Sequence, residues 1–113
     1  MFDSYSFGCI TFNHTQYRYD IFITLQGVAR ERPQRRSNHL LEASELRQYL
    51  EPGTKKLVVG TGESGVMDVA DDARELLKAR GIILIEAPSG EAIHAYNREK
   101  DKSVVMAVIH STC

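Results

Sequence analysis

The stretch Leu57-Val58-Val59-Gly60-Thr61-Gly62-Glu63-Ser64-Gly65 decides the fold of the second half of the chain, because an apolar run ends there in a glycine-rich turn. Two more continuous apolar runs follow, at residues 82–85 and 104–109. Continuous apolar runs of this length are typical of strands buried on both faces of a parallel sheet. The sequence therefore predicts three strands at the centre of one sheet.

Two helices are predicted between these strands. Apolar residues repeat at the helical period from position 66 onward, which predicts a helix over 66–80 that ends at Gly81. Ser89 can cap a second helix over 89–98, which turns Ala92, Ile93 and Tyr96 inward. The order strand, helix, strand, helix, strand is that of an α/β domain.

The beginning of the chain predicts a β-hairpin. Residues 4–12 are rich in aromatic and β-branched types, and residues 17–25 alternate between apolar and polar, with Phe22 as the exception. Asn13-His14-Thr15 supplies the turn between them. Asp20 falls on the polar face of the second strand, where an exposed side chain is expected; the alternative is a buried carboxylate with a shifted pKa.

The middle of the chain predicts a loop and a short helix. Residues 29–39 have no apolar periodicity and contain Pro33, which indicates a polar, mobile loop. A helix is expected over 44–50 and should end before Pro52-Gly53.

Composition limits the class of protein. The chain has 113 residues, 42% hydrophobic and 26% charged, which predicts one domain over residues 1–113. The formal net charge of −1 excludes a globally basic nucleic-acid binder. No apolar stretch approaches the roughly 20 residues of a membrane helix, and the first residues lack a signal-peptide pattern. We therefore expect a cytoplasmic protein with neither a membrane nor a nucleic-acid partner.

The cysteines and histidines indicate no catalytic or metal site. Cys9 and Cys113 are expected to be free thiols, as is usual in the cytosol. His110 and Cys113 could act as base and nucleophile, but at this spacing their side chains need not meet. The four histidines are too far apart in sequence for the spacing of a zinc site: His14, His39, His94 and His110. No catalytic residue, metal or cofactor is expected.

The glycine-rich turn matches the dinucleotide fingerprint G-x-G-x-x-G, with Glu86 about 20 residues further on. Too few strands follow for a dinucleotide fold, and Glu63 would face the pyrophosphate. A P-loop would need Lys and Ser or Thr where Val66 and Met67 stand, which excludes an NTPase. The glycines are expected to serve a sharp turn, with a small ligand as the alternative. The candidate ligand-binding residues are Gly60, Thr61, Gly62, Ser64 and Gly65.

Four arginines lie within seven residues and form a candidate patch for an acidic protein partner: Arg30, Arg32, Arg35 and Arg36. No aromatic residue lies among them on which a base could stack, so nucleic acid is not the expected partner. The alternative is an ordinary solvated loop whose arginines contribute little to stability.

Five short motifs, in this order and spacing, resemble one family over nearly the whole chain. The family includes mitochondrial complex I assembly factor 3, the adipogenesis-associated domain-containing protein and many uncharacterised microbial proteins. The motifs are Tyr5-Ser6-Phe7-Gly8, the strand with Tyr17, Asp20 and Ile21, Leu57-Val58-Val59-Gly60-Thr61-Gly62, the helix with Ala92, Ala95, Tyr96 and Asn97, and His110-Ser111-Thr112-Cys113.

This resemblance implies a three-layer α/β fold: a mixed central sheet with flanking helices and an N-terminal β-hairpin layer. It implies no established catalytic residue, and it implies action through partners, as in assembly or regulatory proteins. The chain departs from many relatives in having no tryptophan, which they carry near residues 27–30, and no mitochondrial targeting extension is expected. We therefore expect a non-enzymatic protein-interaction module. The alternative is a ligand-binding protein or enzyme that uses the crevice beside residues 60–65.

Overall fold

A five-stranded mixed sheet forms the centre of the computed structural model, which describes residues 1–113. The elements, in chain order, are β1 (Phe2–Ser6), β2 (Cys9–Phe12), β3 (Thr15–Tyr17), β4 (Ile21–Ile23), β5 (Ala29–Glu31), β6 (Leu40–Leu41), α1 (Ala43–Tyr49), β7 (Lys56–Gly60), β8 (Asp68–Val69), α2 (Asp71–Ala79), β9 (Ile83–Ala87), α3 (Ser89–Glu99) and β10 (Val105–Ile109).

The strand order in the central sheet is β5-β4-β10-β7-β9. Strands β10, β7 and β9 are parallel, whereas β4 and β5 are antiparallel to their neighbours. Every residue of β10 is buried, as its continuous apolar sequence predicts. Strand β9 lies at the edge instead, and Ile83 is 57% exposed. The prediction that this run is buried on both faces was therefore wrong.

Two apolar cores cover the two faces of the central sheet. On one face, α3 and the sheet β1-β2-β3 pack through Phe2, Phe12 and Tyr96, whose rings meet edge to face. On the other face, Leu46 of α1 and Leu77 of α2 pack against the sheet. These layers confirm the expected three-layer α/β architecture. No helix of the molecule is both long enough and apolar enough to span a bilayer.

The predicted hairpin is a three-stranded antiparallel sheet, β1-β2-β3. Asn13 and His14 form the β2–β3 turn, and both have positive φ. The predicted strand over 17–25 divides in two, because the chain leaves this sheet after Tyr17 and enters the central sheet at Ile21. The alternating apolar residues of this region therefore serve two different sheets.

The helix predicted over 66–80 begins only at Asp71. The Asp68 N–H donates to the carbonyl of His39, and the Ala70 N–H donates to the carbonyl of Leu41. These bonds, which hold β8 beside β6, replace the first helical turns. The helices predicted over 44–50 and 89–98 are confirmed as α1 and α3, to within one residue at each end.

Candidate functional site

A polar site lies where the parallel strands β7 and β10 reach their carboxyl ends. The chain enters β4 at the same edge, since Ile21 pairs with Ile109, and Asp20 immediately precedes that strand. Residues 110–113 follow β10 across this edge, and residues 60–65 follow β7. Ligands of open α/β sheets bind outside the carboxyl ends of the strands, so this edge is the candidate functional site.

Asp20 is the centre of the site and is buried, contrary to the exposed position expected from the alternation. Its Oδ2 accepts hydrogen bonds from Arg32 Nη1 at 2.9 Å and Arg35 Nη2 at 3.1 Å, and it lies 2.7 Å from His110 Nδ1. Its Oδ1 accepts from the backbone N–H and the hydroxyl of Ser111, at 2.8 and 2.9 Å. Burial alone would raise the pKa of Asp20, but the hydrogen bonds from His110 and Ser111 outweigh it and lower that pKa. Asp20 is therefore a carboxylate.

His110 is held in one orientation by Asp20. A carboxylate only accepts hydrogen bonds, so Nδ1 of the buried imidazole carries the proton that it donates to Asp20. The other ring nitrogen, Nε2, lies 3.4 Å from Thr112 Oγ1 and does not contact Asp20. The exposed ring of His39 packs edge to face on His110, with 5.5 Å between centroids. His39 Nε2 in turn lies 3.6 Å from Cys113 Sγ.

Arg32 ties the site to α1 and is only 2% exposed. Its Nε and Nη2 donate to the two carboxylate oxygens of Glu45, at 2.7 and 2.8 Å, while Nη1 donates to Asp20. Nη2 also donates to the carbonyl of Leu40 at 3.2 Å. Arg32 and the nearby Arg35 balance the charges of Asp20 and Glu45. This is the arrangement in which buried ions are tolerated.

The four arginines therefore do not form one solvated patch. Arg30 is exposed on β5, Arg32 is buried, Arg35 is largely buried against Asp20, and Arg36 is exposed and paired with Glu42. The expectation of an ordinary solvated loop was wrong for Arg32, which is buried and bonded to Glu45 and Asp20 from distant parts of the chain. A polar depression of about 210 Å³ is lined by Gln34, Arg35, Arg36, Glu42, Ser44, Glu45 and Gln48.

Three backbone N–H groups of the loop at residues 60–65 donate hydrogen bonds to acceptors within the protein. Thr61 donates to the carbonyl of Ala87 at 2.9 Å, Gly62 to Ser89 Oγ at 2.9 Å and Glu63 to the carbonyl of Thr112 at 2.7 Å. A Cβ on Gly62 would lie 2.3 Å from the carbonyl carbon of Cys113. The close approach that this glycine permits is therefore to residues 112–113.

The candidate ligand residues occupy different environments within that loop. Gly60, Thr61 and Gly62 are buried, whereas Ser64 and Gly65 are exposed. The helix start that a phosphate would need next to the glycines is absent, because α2 begins at Asp71. A phosphate at this loop would have to displace internal hydrogen bonds.

Sequence reasoning did not select His39 and Thr112 for the site. His39 lies 74 positions from Cys113, and it belongs to a segment without periodicity. The one available signal was topological: residues that follow parallel strands meet at one edge of the sheet. That signal applies to residues 60–65 and 110–113, but it does not reach His39.

This fold and site define a small mixed α/β domain, with its polar residues collected at the carboxyl edge of three parallel strands. The chain belongs to the family described as "Protein of unknown function (DUF498/DUF598)", whose model matches residues 2–110. The conserved hypothetical protein PH1505 from Pyrococcus horikoshii OT3 is similar over 100% of this chain and 99% of its own, with 27% identity and a TM-score of 0.92.

Two other solved structures share the fold. A protein named MT938 is 27% identical, with a TM-score of 0.83 over 100% of this chain and 98% of its own. A Bordetella pertussis protein, described as a Mth938-like domain, is 20% identical, with a TM-score of 0.72 over 98% of this chain and 85% of its own. The architecture is thus that of Mth938-like domains.

Proposed function

We propose that this chain is a non-enzymatic, cytoplasmic protein-interaction module that binds its partner at the carboxyl edge of the sheet. The carrying observation is a set of three exposed hydrophobic residues that are bonded to residues 111–113 either directly or through the adjacent residue: Phe7 at 57%, Tyr19 at 43% and Val66 at 48% exposure. We call these three residues the docking face. Large apolar and aromatic side chains held at a surface are the groups that protein interfaces use as anchors.

Hydrogen bonds to residues 111–113 hold each part of the docking face. Next to Phe7, the Gly8 N–H donates to the carbonyl of Ser111 at 2.7 Å. The Val66 N–H donates to the carbonyl of Cys113 at 3.0 Å. Tyr19 precedes Asp20, whose carboxylate accepts from Ser111. A face fixed in this way loses little conformational entropy when a partner binds, which favours affinity.

Fewer arginines are available to bind a partner than the sequence predicts. Arg30 and Arg36 remain at the surface, where they could meet an acidic partner. Arg32 and Arg35 are engaged with Asp20. The resemblance to assembly and regulatory proteins that act through partners agrees with this proposal.

A second candidate function is small-ligand binding or catalysis in the crevice beside residues 60–65. The observation in its favour is the position of His110 Nε2, which does not contact Asp20 and lies 3.4 Å from Thr112 Oγ1, next to this loop. Against it, the Thr61, Gly62 and Glu63 N–H groups already have internal acceptors. Native mass spectrometry of the purified protein would reveal a retained small molecule and favour this second candidate.

Affinity purification from the source cell tests the interaction proposal. The variant Phe7→Ser/Tyr19→Ser/Val66→Ser should lose the proteins that co-purify with the wild type. The matched control is Val28→Ser/Ile83→Ser/Val104→Ser, which alters the opposite edge of the sheet at side chains that are 44, 57 and 45% exposed. Circular dichroism establishes that both variants are folded. If the docking-face variant retained the same partners as the control, the proposal would be wrong.

A further inference from the structure

We propose that His39, His110 and Cys113 form a binding site for a zinc ion. One ring nitrogen of each histidine and the sulfur of Cys113 all lie within 4.8 Å of one another. Imidazole nitrogen and thiolate sulfur are the ligands that Zn²⁺ prefers, whereas Mg²⁺ and Ca²⁺ prefer oxygen. The site is separate from the proposed docking function, although both lie at the same edge of the sheet.

The distances suit tetrahedral zinc. Zn–S and Zn–N bonds of about 2.3 and 2.0–2.1 Å place a sulfur and a nitrogen ligand about 3.6 Å apart in a tetrahedron. His39 Nε2 and Cys113 Sγ already lie 3.6 Å apart. The remaining pairs lie within 4.8 Å, so each needs to approach by at most about 1.5 Å. His39 is exposed and Cys113 is only half-buried, so rotation of these two side chains can supply that movement.

Asp20 prepares His110 for this role. Histidines that bind metals almost always donate their other N–H to a carboxylate or carbonyl, which fixes the ring and makes the ligating nitrogen more basic. His110 places Nδ1 against Asp20, which leaves Nε2 as the ring nitrogen available to a metal. Thr112 Oγ1, at 3.4 Å from Nε2, is too distant to be a strong competing partner for that nitrogen.

The charge around the site is compatible with a cation. The carboxylates of Asp20 and Glu45 are balanced by Arg32 and Arg35, so the buried network adds no net positive charge beside the metal. A Cys113 thiolate would neutralise half the charge of Zn²⁺. Three protein ligands leave a fourth tetrahedral position for water.

Calorimetric titration of the metal-free protein with Zn²⁺ tests the site. The wild type should bind one equivalent, and Cys113→Ser and His39→Ala should each weaken binding by roughly 100-fold or more. Co²⁺ provides a second measurement, because thiolate ligation produces a sulfur-to-metal charge-transfer band that Cys113→Ser should remove. The matched controls are Cys9→Ser and His94→Ala, which change residues outside the cluster.

The two ligand variants are expected to fold, since neither side chain belongs to an apolar core. Circular dichroism checks that expectation. Absence of one-to-one binding in the wild type would overturn the proposal. Unchanged affinity in either Cys113→Ser or His39→Ala would also overturn it, because the site requires all three ligands.

Discussion

Replacing Arg32 with methionine should strongly destabilise the protein. The apolar side chain of methionine is similar in length to the aliphatic part of arginine. The substitution therefore removes the guanidinium without leaving a large cavity. Glu45 would then remain buried with only the Tyr49 hydroxyl, at 2.7 Å, as a side-chain partner. Asp20 would lose one of its two arginines.

The expected loss follows from the burial of these partners. Removing one member of a buried ion pair costs about 3–5 kcal/mol, because an uncompensated charge stays in the interior. A domain of this size has a free energy of unfolding of about 5–15 kcal/mol, so the loss is a large fraction. With an m value of about 2 kcal/mol/M, the urea midpoint should fall by about 2 M.

Urea unfolding followed by circular dichroism measures this effect, with Arg36→Met as the matched control. The Arg36 side chain is 84% exposed, and its partner is Glu42, so the control should unfold at the wild-type urea concentration. The double variant Arg32→Met/Glu45→Leu should recover part of the lost stability, since it removes the orphaned carboxylate. Equal midpoints for Arg32→Met and Arg36→Met would refute the assignment of Arg32 as a buried structural cation.

Two further predictions concern the loop at residues 60–65 and the pH dependence. Gly62→Ala should lower the free energy of unfolding by urea by about 2–5 kcal/mol, because its Cβ would meet the Cys113 carbonyl. The control Gly27→Ala also has a positive φ but lies in open space, so it should cost only about 1–2 kcal/mol. Equal costs would mean that the loop does not pack on residues 112–113. Burial, followed by the charge of Glu45, raises the pKa of Tyr49 well above 10.0, so the stability that this residue contributes is present below pH 10.0 and is lost as the pH rises above it. Tyr49→Phe should therefore flatten the alkaline fall of the urea midpoint, and an unchanged slope would contradict the buried position of its hydroxyl.

Local sequence patterns were sufficient to predict most of the strands and helices in the second half of the chain. The apolar runs at 57–59 and 104–109, and the stripe of α3, predict their strands and helix because burial and periodicity coincide there. The helical period at 66–70 was misleading. The N–H groups of Asp68 and Ala70 bond to the distant residues His39 and Leu41, and no local pattern encodes that pairing.

The candidate site was harder to predict than the fold. An arginine-rich segment normally indicates exposure to solvent. Arg32 is buried because Asp20 and Glu45 supply its counter-charges from two other parts of the chain. The approach of His39 to Cys113 likewise depends on β6 pairing with β8. Each of these contacts is a product of topology, which spacing along the chain does not reveal.

The hydrogen bond from His110 Nδ1 to Asp20 is the feature on which the geometry of the site depends most directly. Long-range proton–nitrogen correlation NMR of the metal-free protein in alkaline buffer determines which ring nitrogen of His110 carries the proton. His94, which is exposed, serves as the reference for an imidazole in contact with solvent. A protonated Nδ1 and an unprotonated Nε2 are the expected result for His110. A proton on Nε2 would contradict the assigned hydrogen bond, since His110 would then have no donor for Asp20 and no free nitrogen facing Thr112.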